Sequence, residues 1–501
     1  MRVLPYSNML LGALVIAALL CFFFALYYYG TAPGYLDHVE PGLTLLSWGL
    51  INGQPLYTLP DSLDYAVNPY GPAHYIVQSI ILTLIEPSIA NSKIIILSAS
   101  GFAILLFGIH IWRRYGYPLM VIGVVLLTAI ILRQAPSSFS VRPDLLILLL
   151  ITVAVVVKDF DRAGVYWPVL LVAVCIGIAV NVKIYAPVFF FPILILLVLG
   201  RKTRLDRIRV CVIVGTVTTV VAGLPFLSSN ISVIAYLKTT YELVTVRERS
   251  FDSILPLVKN LAVYLSPVVL LLFLNPIAHS KTGRKNLIYF FSLLLVSFAI
   301  MYPASMPGAG RHYLIPMAPI VADLYVRMTK ETFKHAAKLG HSYVYLILPL
   351  AILLISVPSQ KRLFRQVTYL HNSTVPNEIE KLLIQQKNAI VMMGYGDNFE
   401  SYKLSYFEPM LVFAGNPTRM SALSLMELHA SGIKPPNNLD KLLSRCNAHI
   451  WLIPKGEIPF KIASYYDGKK MVYSDNFRRN FLSFYHNTGD TRSFDIWTCK
   501  N

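Results

Sequence analysis

Two carboxylates three residues apart, Asp37 and Glu40, follow the first apolar stretch of the chain in the phrase Tyr35-Leu-Asp37-His-Val-Glu40-Pro. A carboxylate held there can take the proton of an attacking hydroxyl, which is the task of a general base. Cations recur beside later apolar stretches: Arg142 near Asp144, Lys183 inside Ala179-Val-Asn-Val-Lys-Ile-Tyr-Ala-Pro187, and Arg311 with His312 and Tyr313 after Pro307-Gly-Ala-Gly310. Such groups stabilise the charge that develops on a departing phosphate, and an arginine grips two of its oxygens at once. The plain alternatives are solvated loop acids, a lysine snorkelling to headgroups, an interfacial arginine beside a belt tyrosine, and an Arg142–Asp144 pair. Arg247 and Arg249 could also hold phosphate or be loop charge.

Asp37 is the candidate base. Glu40 is its substitute or a ligand that orients the acceptor. In a helix the spacing would place both on one face and point His38 to the surface.

The elements that must position these groups are apolar. Hydrophobic residues make up 55% of the chain and charged ones 14%, with a mean hydropathy of +0.57, a balance that fits a polytopic membrane protein and not a soluble fold. The net charge of +18 comes from 44 Lys and Arg against 26 Asp and Glu. The basic residues gather in short clusters such as Arg113-Arg114 and Lys281-Arg284-Lys285, the pattern that membrane topology and anionic headgroups impose, so nucleic acid is not an expected partner.

Candidate spans begin at Asn8–Tyr29 and continue through Lys93–Trp112, Tyr117–Leu132, Asp144–Val157, Trp167–Val182, Ala186–Leu199, Ile208–Phe226, Leu255–Leu274, Asn286–Met301, His312–Val326 and Ser342–Val357. That makes about 11 transmembrane helices, uncertain by one or two because several, such as Asp144–Val157 and Ala186–Leu199, are shorter than a hydrocarbon core of about 30 Å requires and are read as tilted or re-entrant. Between Gly30 and Ser92 there is no Lys or Arg, so this stretch reads as a loop on the outer face, with the N-terminus cytoplasmic. Inside it, Gly42–Asn52 and Ala73–Ile85 are short apolar segments flanked by Pro and Gly, expected to lie as interfacial helices.

From Pro358 to Asn501 the character changes. Short apolar runs (Ala389–Met393, His449–Pro454) alternate with helical periods (Asn377–Gln386, Ser421–His429), a turn is marked by Pro435-Pro436-Asn437, and Arg492–Cys499 reads as a closing strand. The expectation is a soluble extracytoplasmic α/β domain, residues 358–501, after a membrane domain of residues 1–357. Cys21, Cys175 and Cys211 fall in apolar segments as packing residues, while Cys446 and Cys499 could pair only in an oxidising compartment.

The acids after the first span, the phrases Gly53-Gln-Pro-Leu-Tyr57 and Asn68-Pro-Tyr-Gly-Pro72, and the later Val141-Arg-Pro-Asp144 and Gly310-Arg-His-Tyr313 resemble, in this order, the GT-C superfamily of membrane glycosyltransferases. The resemblance covers residues 9–357 and extends to protein O-mannosyltransferases and the lipid A aminoarabinose transferase. It implies a polyprenyl-phosphate-linked sugar donor, a lipid, glycan or protein acceptor on the outer face of the plasma (inner) membrane, and inversion in one displacement. It also puts a cation near the donor phosphate at Arg311, beside His312 and Tyr313; Lys183 and Arg142 are read from their own placement as further candidates for donor-phosphate binding, with Asp37 and Glu40 as the candidate catalytic acids. Many relatives carry adjacent Asp-Glu in this loop, whereas here two residues intervene, so either acid remains eligible as base. No cofactor is required by the pattern. A divalent metal would need two or three oxygen ligands, of which Asp37 and Glu40 are a thin set. A transporter or flippase of a lipid-linked saccharide, or a scaffold subunit, are the rival classes.

Overall fold

The computed structural model describes residues 5–59, 69–160, 165–245, 251–274, 281–306, 308–336, 344–418, 421–433, 439–443 and 446–500. Asn68, Arg247, Arg249, Pro307 and the Pro435-Pro436-Asn437 turn lie outside them.

Apolar runs with no water to satisfy their backbone must close their hydrogen bonds internally, and these runs are helices. Among the described residues, Ile89–Tyr115, Arg204–Leu227, Ile254–Phe273, Thr282–Ala304 and Ile347–Gln385 are long and apolar enough to cross a membrane, with shorter apolar helices beside them. The chain is an integral membrane protein. In the segment Arg204–Leu227 only 6% of the most apolar window is buried, a surface that lipid tolerates and water does not. The expected segments Asp144–Val157 and Tyr117–Leu132 appear as helices Asp144–Val157 and Tyr117–Arg133, and the two loop segments as helices Val39–Ile51 and Pro72–Leu84.

The chain divides into two compact units. One comprises residues 1–29, 96–225 and 249–365, the other 30–95, 226–248 and 366–501, so the acidic loop belongs to the same unit as the tail.

The first unit ties helix ends together with buried charge. Asp159 meets His110 (3.0 Å), Arg114 (3.3 Å) and Arg327, while Asp323 meets Lys158 (2.8 Å) and Arg327 (3.0 Å). Inside an apolar bundle a buried ion is untenable alone, and the partners come from two helices, Ile89–Tyr115 and Ala318–Ala336, and the single turn Lys158–Phe160.

In the second unit the loop helices share an apolar core of Leu43, Leu56, Tyr57, Tyr70, Tyr75, Ile231 and Tyr236. Gly53, at φ 75°, turns the chain out of Val39–Ile51. The tail carries a four-stranded sheet: β1 (Val391–Met393), β2 (Ile450–Pro454), β3 (Tyr485–Asp490) and β4 (Phe494–Cys499), in the order β1-β2-β4-β3. β1 and β2 run parallel, and the other neighbours are antiparallel. Helices Val375–Gln385, Ala422–Ala430 and Asp475–Phe484 surround it, the last two started by Ser421 and Ser474, whose hydroxyls accept the N–H of Ser424 and Phe477. Trp451, Phe460, Phe477 and Phe481 fill the core. Cys446 and Cys499 are disulfide-bonded, with Cα atoms 5.7 Å apart.

Glu408 heads a short helix, Glu408–Phe413, and borders a cavity of about 20 Å³, room for one water, with Tyr395, Trp451 and Tyr473. Burial pushes its carboxyl up to about 8. The folded state therefore holds this proton more tightly than the unfolded chain, whose value is 4.5, and stability falls as pH rises from about 4.5 to about 8. Glu408→Gln is neutral throughout, so thermal unfolding of the variant at pH 5 and pH 8 is expected to show a smaller loss over that interval than the wild type. Equal losses would contradict this.

Candidate active site

The chain leaves its first helix, Pro5–Gly30, and turns before entering Val39–Ile51, with Asp37 in the turn and Glu40 in the first helical turn. Glu40 is fully buried. Its Oε1 accepts the backbone N–H of Leu36 (2.9 Å) and of Asp37 (2.8 Å). Asp37 Oδ1 in turn accepts the N–H of Val39 at 3.0 Å. This is the logic of a capping box, in which a carboxylate three residues on reaches back to the N–H of the residue that starts the helix, and the helix dipole favours negative charge there. The expectation that both acids share one helical face is corrected: the chain is not yet helical at Asp37, so the two side chains cross over the turn. His38 is corrected too, since its Nδ1 lies 3.1 Å from Asp37 Oδ1 and does not point away.

Lys93 holds the turn from below. Fully buried, it donates from Nζ to the carbonyls of Ala32 and Gly34, both at 2.7 Å, and lies 5.6 Å from the Tyr35 ring. Its charge opposes that of Glu40. Tyr35 Oη reaches Thr44 (2.9 Å) and Ser92 (2.8 Å), and Gln78 joins Thr44, Ser92 and Ser47. Lys93 is not among the candidate site residues of the sequence, where it only opens the span Lys93–Trp112. Its signal was a lone lysine at the start of an otherwise apolar helix, which demands polar partners.

Two tyrosines of the tail reach the same place. Burial holds the phenols of Tyr402 and Tyr406 above their ordinary range, and the nearby Asp37 carboxylate adds to it, so both remain hydrogen-bond donors.

Four of the expected phosphate-binding residues come together in the first unit. Lys183 Nζ meets both oxygens of Asp144 (2.8 and 2.9 Å) and stands 4.3 Å from the centre of the Tyr313 ring, which stacks on Tyr185 at 5.2 Å. Arg142 Nη1 is 2.9 Å from His312 Nε2, and the His312 and Tyr313 rings are 4.9 Å apart. Asp144, which an Arg142–Asp144 pair would have occupied, meets Lys183.

Arg311 departs from this group. It is half-buried, and the charges acting on it are the guanidiniums of Arg133 and Arg362 and the phenol of Tyr264. Arg133 reaches Ser359 at 3.4 Å. Among the described residues none of the three arginines is ion-paired. Arg362 was missed because the last span was expected to stop at Val357, whereas its helix runs from Val344 to His371. The described residues contain no group of three or more His, Cys, Asp or Glu side chains able to hold a metal.

The fold is shared with solved structures. The chain aligns over 98% of its length with 98% of ArnT from Cupriavidus metallidurans bound to undecaprenyl phosphate, with a TM-score of 0.57 and 11% identity. With the apo state of that protein it aligns over 99% and 98%, at 0.59 and 12%. It also aligns over 90% of its length with 69% of the Archaeoglobus fulgidus oligosaccharyltransferase tethered to an acceptor peptide, at 0.53 and 10%. No protein-family model and no curated protein matches the sequence.

Asp144→Asn leaves Lys183 buried without its counterion, at a cost of about 3–5 kcal/mol, and Asp144→Asn with Lys183→Met recovers most of it. Thermal unfolding in detergent measures both. An unchanged midpoint for Asp144→Asn would show that the pair does not neutralise Lys183.

Proposed function

We infer that this chain is a membrane glycosyltransferase of the GT-C class, a reading that the shared fold supports. We propose that this chain transfers a sugar from a polyprenyl-phosphate-linked donor to a hydroxyl acceptor at the outer face of the membrane, with inversion. The observation that carries this reading is the Asp37 carboxylate, oriented through its own backbone N–H by the buried Glu40 and left partly open to solvent, its side chain 20% exposed. Asp37 takes the acceptor proton as the acceptor oxygen bonds to the anomeric carbon. The bond from that carbon to the phosphate oxygen breaks, and the electron pair leaves with the phosphate. Glu40 is occupied with backbone donors and acts by positioning.

The departing phosphate needs cations that are not already neutralised. Arg311, Arg133 and Arg362 fit that role, three like charges held without a carboxylate. Lys183, Arg142, His312 and Tyr313 supply a second polar group, with Lys183 committed to Asp144 in the absence of an anion. The ArnT structure contains undecaprenyl phosphate, which supports a polyprenyl phosphate as the carrier. The disulfide Cys446–Cys499 supports placing the tail in an oxidising compartment.

Asp37→Asn is expected to lower transfer from radiolabelled polyprenyl-phosphate sugars to membrane acceptors by about 10²–10⁴-fold, the usual contribution of a general base, with donor binding retained. Arg311→Ala is expected to weaken donor binding at least about tenfold, the loss of charge-assisted hydrogen bonds. A transporter would tolerate Asp37→Asn, and unchanged donor binding in Arg311→Ala would remove the arginine group from the site.

A further inference from the structure

A ladder of aromatic rings runs from the core of the tail to the acidic loop. Tyr395 and Tyr402, both buried, stack with centres 5.8 Å apart, Tyr402 stacks on Phe399 at 5.7 Å, and Phe399 stacks on Tyr465 at 5.4 Å. Tyr465 reaches His38 at 5.7 Å, and His38 touches Asp37. The inner rings are accounted for by packing. The outer two are not: Phe399 is 43% and Tyr465 56% exposed. At these separations the rings are laterally offset, so each leaves part of a face uncovered.

The loop that carries Phe399 is built to hold its shape. Glu457 Oε2 accepts the N–H of Asp397 (3.0 Å) and Asn398 (3.1 Å) and the hydroxyl of Ser401 (2.8 Å). A Cβ on Gly396 would lie 1.8 Å from that carboxylate, so the close approach requires glycine. Rigid, half-exposed aromatic faces rimmed by Asn398, Asp397 and the Tyr465 hydroxyl combine an apolar plane with hydrogen-bonding edges. A pyranose has the same two properties: axial C–H groups on its faces and hydroxyls around its rim. A plain lipid tail would leave the polar rim unmatched, and a surface meant only for headgroups has no need of the Glu457 brace.

We propose that Phe399 and Tyr465, with His38 beside them, form a saccharide subsite that holds a sugar ring of the acceptor next to Asp37, so that the acceptor is a glycan or glycolipid. The acceptor role rests on the transferase reading; saccharide binding itself does not.

The test uses the full chain in lipid nanodiscs against an immobilised panel of neutral, amino-sugar and uronic-acid oligosaccharides. Wild type is expected to bind at least one class, Phe399→Ala with Tyr465→Ala to lose about tenfold or more in affinity, and Phe399→Tyr with Tyr465→Phe, which keep the rings, to retain it. In the transfer assay the alanine pair is expected to raise the acceptor KM while leaving kcat and the donor KM near wild type. A raised donor KM with an unchanged acceptor KM would assign the platform to the donor sugar and overturn the proposal. So would binding that survives loss of both rings, or no binding of any oligosaccharide at millimolar concentration. An alanine pair that alters only association with protein-free vesicles would make the rings membrane anchors. Binding of undecaprenyl phosphate by the same preparations separates the two hypotheses: if it persists while no saccharide binds, the subsite fails and the transferase reading stands.

Discussion

A buried carboxylate must be hydrogen-bonded or paired, and at Glu40 that constraint shapes everything around it. Its Oε1 accepts the N–H groups of both Leu36 and Asp37. Satisfying Glu40 therefore fixes the backbone at Asp37, while Lys93 fixes the carbonyls of Ala32 and Gly34 a few residues earlier. The turn is clamped from both sides. The Asp37 carboxylate, which accepts the N–H of Val39, is partly solvated beside His38 and the tail tyrosines.

The same rule sorts the charges in the apolar unit. Asp144 neutralises Lys183, and Asp159 with Asp323 absorbs Lys158, Arg327 and Arg114, so these ions serve to join helix ends. Arg311, Arg133 and Arg362 break the pattern. Like charges gathered without an acid repel one another and are stabilised by an anion from elsewhere, which supports proposing this group, more than the Lys183 group, as the place for a phosphate.

Much of this was legible in the sequence because apolar composition and period directly encode helices in a membrane. Asp144–Val157 can be read to the residue, and Asp37 stands out as an acid after a span in a stretch without basic residues. What the sequence hides are partners brought together by folding. Nothing near Lys183 in the chain names Asp144, and nothing near Arg311 names Arg133 or Arg362. The strand Tyr485–Asp490 is exposed along all but its first residue, so it has no alternation to betray it, and only its pairing with Phe494–Cys499 makes it a strand. The spacing of Asp37 and Glu40 was read as a helical face, whereas an Asp followed three residues later by Glu at a helix start is equally a capping signature, and that is the form it takes.

The central claim is a single displacement with Asp37 as base. The most direct test is the anomeric configuration of the linkage formed when the protein transfers sugar from polyprenyl-phosphate donors of defined configuration, read by the coupling constant of the anomeric proton in the product. The account expects the opposite configuration to that of the donor. Retention would require a covalent or otherwise two-step route, and would contradict it.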